Sequence, residues 1–96
     1  SAHADEWKML DESAINHALE GRILDYDNAW QEFMASGRTL YNAGRDSWGK
    51  WEVRKEGYCS QWPPSNGWAC YRVSSKENLI RFTGDSGAET IGTLRP

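Results

Sequence analysis

The sequence predicts a mainly β (α+β) domain, in which a short N-terminal helix leads into an antiparallel meander of about seven to eight strands, curved or closed into a small barrel. Three observations carry this reading. Only one stretch, LDESAINHALEG at residues 10–21, combines helical period with helix punctuation. After Gly21, short segments rich in aromatic and β-branched residues alternate with clusters of Gly, Asn, Asp and Ser. The spacers between them, such as Asp27-Asn28, Ser36-Gly37, Ser65-Asn66-Gly67 and Gly84-Asp85-Ser86-Gly87, fit hairpins and leave no room for parallel crossovers. A flat sheet of that many strands leaves one face unburied, and closure into a barrel removes the problem.

Residues 1–9 are expected to form a flexible N-terminal segment and residues 10–96 a single β-barrel-like domain without repeat or linker. Ala2-His3-Ala4 before Asp5 has the small-x-small pattern of a signal-peptidase site, readable equally as the remnant of a signal peptide or as a tag scar. In the helix, Asp11 is the N-cap, Glu12 lies in the first turn, Ala14, Ile15, Ala18 and Leu19 form the apolar stripe, and Gly21 stands just past the end. Leu10 and Ile15 occupy the N′ and N4 positions of a hydrophobic staple. His17 falls between the apolar positions. As a metal or haem ligand it would have only His3 as a second imidazole, so a partly exposed helix histidine is expected.

Strands are expected at residues 22–26, 30–35, 38–43, 48–55, 57–62, 68–74, 79–83 and 89–94. The stretch YCSQWPPSNGWACYRV at residues 58–73 is close to a mirror image about its Pro-Pro-Ser-Asn-Gly centre. A hairpin folded between Pro64 and Ser65 would pair Tyr58 with Tyr71, Cys59 with Cys70, Ser60 with Ala69 and Gln61 with Trp68. Alternation then puts Tyr58, Ser60, Ala69, Tyr71 and Val73 on one face, read as core, and the two cysteines with Gln61, Trp68 and Arg72 on the other. Pro63 and Pro64 cannot donate to a ladder and belong in the loop.

Directly opposed residues of a non-hydrogen-bonded pair stand about 4.5 Å apart at Cα, at the short end of what a disulfide spans. A metal site needs about four ligands and finds no CxxC partner or nearby histidine here, and a redox pair normally has C-x-x-C spacing beside a helix. A structural Cys59–Cys70 disulfide is therefore expected, and with it an oxidising, periplasmic or secreted location. The 96 residues carry 11 basic and 14 acidic side chains in no single-sign block, which argues against nucleic-acid and anionic-membrane partners. No apolar run approaches the roughly 18 residues of a transmembrane segment.

The runs Trp48-Gly49-Lys50-Trp51-Glu52-Val53, Tyr58-Cys59-Ser60-Gln61-Trp62-Pro63-Pro64-Ser65 and Gly67-Trp68-Ala69-Cys70-Tyr71-Arg72-Val73 resemble a pattern in small exported or lipid-anchored domains of Gram-negative bacteria, filed as domains of unknown function. In those, a short helix leads into a β meander that closes with a G-T-L-type strand. Ile15 to Leu19 and Gly92-Thr93-Leu94 are similar to its two ends. The resemblance implies export and a β fold, and it transfers no catalytic residue.

Candidate chemistry is sparse. Gly84-Asp85-Ser86-Gly87 matches the letters around a chymotrypsin-type serine, but that chemistry needs a histidine base and a far larger double barrel, so a turn is expected. Asp85, Ser86 and Glu89 lack the spacing of a calcium loop, and Asp25 with Asp27 reads as solvated turn carboxylates. No catalytic residue, metal or cofactor is expected, and the protein reads as a non-enzyme.

The functional reach of the sequence lies in its aromatic residues. Trp48, Trp51, Trp62 and Trp68 gather around the central strands and are read mainly as packing, with Trp62 exposed at the hairpin tip and the barrel interior filled. The leading expectation is a protein-interaction or accessory module of the cell envelope that offers Trp62, Pro63 and Pro64 to a protein partner. The alternative is a lipocalin-like carrier of a small ligand with a cavity among Tyr58, Tyr71, Trp51 and Val53, or a carbohydrate-binding surface built from the same rings.

Overall fold

In the computed structural model, which describes residues 6–96, Asp11 accepts a hydrogen bond from the Ala14 amide at 2.9 Å and opens helix α1 (Glu12–Leu19). The Ala2-His3-Ala4 triplet, and with it the signal-peptide or tag reading, lies outside the described residues. The helix stops where Gly21 takes a φ of 74° and donates its amide to the Phe33 carbonyl at 2.7 Å. Glycine adopts that conformation without steric cost. Ile15 and Leu19 are fully buried, Leu10 and Ala18 pack beside them, and His17 is exposed.

Eight strands follow the helix close to their expected bounds: β2 (Arg22–Asp25), β3 (Trp30–Phe33), β4 (Arg38–Asn42), β5 (Asp46–Arg54), β6 (Gly57–Gln61), β7 (Trp68–Lys76), β8 (Leu79–Thr83) and β9 (Glu89–Leu94). A further strand, β1 (Lys8–Met9), precedes the helix, where the sequence suggests only a flexible segment. Two residues carry no alternation to read. They become a strand because the nine-residue β7 runs on beyond its pairing with β6, and Lys8 and Met9 take up the free ladder opposite Ser75 and Ser74.

Each strand from β2 to β9 pairs antiparallel with the next, and β9 returns to β2 with Leu94 opposite Leu24 and Thr93 opposite Asp25. The meander is thus a closed eight-stranded barrel with β1 as an extra strand. Outside the seam, the Arg95 guanidinium grips Asp25 through Nε at 3.0 Å and a terminal nitrogen at 2.5 Å. The expected hairpin register holds at every position, from Tyr58 opposite Tyr71 to Gln61 opposite Trp68, and Cys59 and Cys70 are bridged across 4.0 Å of Cα separation. Residues 68–71 of β7 pair with β6 alone, because the β8 ladder begins at Arg72.

Turns of an up-and-down barrel alternate between its ends. Those at residues 34–37, 55–56 and 77–78 share the end from which α1 enters β2, and the loops at 26–29, 43–45, 62–67 and 84–88 share the other. At the helix end, Ile15 and Leu19 join Leu24, Phe33, Trp51, Val73 and Ile80 in one core. The helix is the plug of that end. Aliphatic side chains together with Phe33 and Trp51 fill the interior there, and the expectation of a filled interior holds for that half only.

Candidate functional site

At the end opposite the helix, the inward-facing side chains do not meet, and they leave an open cavity of about 670 Å³. Its floor is polar. Gln31, 6% exposed and inward-facing on β3, accepts a hydrogen bond from the Tyr26 hydroxyl at 2.9 Å and donates to Thr39 Oγ1 at 3.0 Å and to the Tyr58 hydroxyl at 3.1 Å. The Thr39 hydroxyl in turn donates a hydrogen bond to the Glu32 carbonyl at 2.7 Å. The amide orientation of Gln31 is fixed by three partners, and no buried side-chain polar atom among the described residues lacks one.

The walls are aromatic. Tyr58 packs against Phe82 with ring centroids 4.9 Å apart, Tyr71 lies 6.2 Å from Tyr58, and Tyr41 stands between Tyr26 at 6.1 Å and Trp62 at 6.2 Å. Two glycines make the room. A Cβ at Gly92 would come within 2.9 Å of the Tyr26 ring, and one at Gly49 within 2.6 Å of Trp62 Cε3. Burial pushes the Tyr58 and Tyr26 hydroxyls above the ordinary tyrosine range, with neighbouring tyrosines adding to the shift. Both remain neutral hydrogen-bonding groups at physiological pH.

Trp62 corrects an expectation. It is half-buried rather than exposed at the hairpin tip, its ring lying over Gly49 and edge-on to Tyr41, and its indole Nε1 donating to Ser60 Oγ at 3.1 Å. The tip itself is Pro63, Pro64, Ser65 and Asn66, all exposed, and Pro63 contributes to the cavity rim. Tyr58, Tyr71 and Trp48 also line the cavity. Trp51 and Val53, expected in a ligand cavity, lie instead at the helix end, where Trp51 is 5% exposed and its indole donates to the Met34 carbonyl at 2.9 Å. Trp68 stays on the outer wall beneath the Arg54 guanidinium, 4.7 Å from its ring centre.

Sequence reasoning missed Tyr26, Gln31, Tyr41, Ser60 and Phe82 as a group. Their common signal was available: Gln31, Tyr41, Ser60 and Phe82 occupy the inward parity of their strands in the half away from the helix, and Tyr26 continues the inward parity of Leu24 just past the end of β2. Gly49 offered another, because the β5–β6 register that pairs Lys50 with Gln61 sets this glycine opposite Trp62 when extended by one residue.

The remaining motifs resolve as structure. Gly84 to Ala88 is a hairpin loop closed by the Gly84 amide on the Ala88 carbonyl at 2.9 Å, and Asp85 and Ser86 are exposed in it. Asp25 is committed to Arg95, whose hydrogen bond lowers its pKa. Glu56 lies with Cys59 and Cys70 in a cluster of metal-ligand residue types, but both sulfurs are consumed by the bridge. Among the described residues, no helix is long and apolar enough to cross a membrane. No protein-family model, curated protein or solved structure matches this chain.

Proposed function

We propose that this chain is a small-ligand-binding protein, lipocalin-like in plan, with the helix closing one end of the barrel and the ligand entering at the other. The cavity carries the reading. At about 670 Å³ it falls within the roughly 300–1,000 Å³ of small-molecule sites, and it occupies the mouth of a barrel, a usual location for them. Its floor is held rigid by the Gln31 network, so a ligand meets a preformed surface and little ordering cost remains. A lining of neutral side chains suits binding rather than chemistry.

The partner-module reading had its anchor in an exposed Trp62, and an indole folded over Gly49 gives it less support. An oxidising compartment, periplasmic or extracellular, is the setting that the Cys59–Cys70 bridge favours.

The test uses the uncharged fluorophore N-phenyl-1-naphthylamine. Saturable uptake of one molecule per chain, with emission shifted to the blue, is expected, and Thr90→Trp or Ser47→Trp, each placing a large ring in the cavity mouth, should abolish it while the melting temperature stays near that of the parent. Uptake unchanged in both blocked variants, or no saturable uptake by the parent chain, would remove the proposal.

A further inference from the structure

The twelve residues that line the cavity sort in an unusual way: seven are aromatic, four are Gln, Ser or Thr, and one is proline. None is charged. None is Leu, Ile, Val or Met either, although the same barrel packs Leu24, Val73 and Ile80 with the helix at its closed end. Aliphatic side chains are therefore confined to the closed half, where they pack with Phe33 and Trp51, and are absent from the lining of the open half.

From that segregation we infer that the ligand is an uncharged, flat aromatic molecule carrying one or two hydrogen-bonding groups, an inference that rests on the small-ligand reading above. An ionised carboxylate, phosphate or ammonium buried here would lose its hydration and meet no opposite charge. A flexible hydrocarbon chain would gain area but none of the edge-to-face geometry that tilted rings offer to another ring. The wall already shows that geometry, with Tyr41 and Trp62 at 75° to each other.

The hydrogen-bonding capacity is small and specific. Gln31, Tyr26, Thr39 and Tyr58 are engaged with one another, and Ser60 receives the Trp62 indole. Among the described residues the hydroxyls of Tyr41 and Tyr71 enter no hydrogen bond, nor do Ser47, Thr90 and the Trp48 indole at the exposed rim, so the two phenols are the inner groups free to meet a ligand. Two free phenols match a ligand with a carbonyl, hydroxyl or amide on a ring system. The inner wall offers only these two to a sugar, whose whole rim of hydroxyls needs partners when buried.

Calorimetric titration of the full chain at neutral pH with four probes tests this: 2-naphthamide, 2-naphthoate, 1-decanol and cellobiose. The first two differ mainly in charge. We expect 2-naphthamide to bind at least about tenfold more tightly than each of the others, and Tyr41→Phe and Tyr71→Phe each to weaken it by about threefold to tenfold. If 2-naphthoate binds as tightly as the amide, or if decanol or cellobiose binds more tightly, and Thr90→Trp blocks that binding, the ligand class is wrong and the cavity reading stands. If none of the four binds, both fall.

Discussion

A Cβ placed on Gly49 would lie 2.6 Å from Trp62 Cε3 and 2.7 Å from the Gln61 carbonyl oxygen, so the missing side chain is what lets the indole fold inward over its neighbouring strand. One of those obstacles is backbone and cannot turn aside. Gly49→Ala is therefore expected to destabilise the barrel by about 1–3 kcal/mol, the usual range for overpacking, and to release the Trp62 ring toward water. A lower melting temperature with a red-shifted tryptophan emission checks both parts. Tyr58 and Tyr26 give a second residue-scale test. Their pKa values are raised by burial, so the folded chain keeps both protonated while the unfolded chain ionises them near the ordinary tyrosine value of about 10. The stability they contribute is complete below that pH and is lost as pH rises above it, by up to about 1.4 kcal/mol per pH unit for each tyrosine. Denaturant midpoints should therefore fall steeply above pH 10, and the fall should be shallower in Tyr58→Phe.

Helix α1 closes its end of the barrel through Ile15 and Leu19, both fully buried, which makes the plug more costly to weaken than its eight residues suggest. Leu19→Ala should cost about 2–5 kcal/mol, whereas Asp11→Ala, which removes only the cap on Ala14, should cost about 1 kcal/mol. Chemical denaturation of the two variants separates packing from capping. Removing the bridge by Cys59→Ser with Cys70→Ser should cost about 2–3 kcal/mol, since the loop it closes is short. At this scale the sequence was informative. The symmetry of residues 58–73 is the register itself, and the helix wrote its own cap, stripe and stop. β1 was illegible because its cause is not local: it exists to occupy the part of β7 that β6 does not reach.

For the molecule as a whole, composition and turn spacing were enough for a curved or closed meander, and the closed form follows from the short seam of Leu24 with Leu94 and Asp25 with Thr93. The cavity could not be read in the same way. Whether facing side chains meet across a barrel depends on tilt and stagger, which the sequence does not state residue by residue. Nothing in the letters Tyr26, Tyr41 and Tyr71 distinguishes rings that fill a space from rings that border one. The seam has a further consequence, in time rather than in space. Seven of the eight barrel pairings join consecutive strands, and the eighth joins positions such as Leu24 and Leu94, 70 residues apart. Hairpins can form quickly while the ends still search for each other, because the entropic cost of closing the longest loop comes before its reward. The seam should be the last part of the barrel to form and the first to part. Leu94→Ala is then expected to accelerate unfolding in stopped-flow measurements while leaving the refolding rate within about twofold of the parent. Val73→Ala, in the interior of consecutive hairpins, should slow refolding as well. A molecule held inside would then have two parallel exits, the open aromatic mouth and a slower unzipping of the wall, and the seam would set its residence time only once the mouth was blocked.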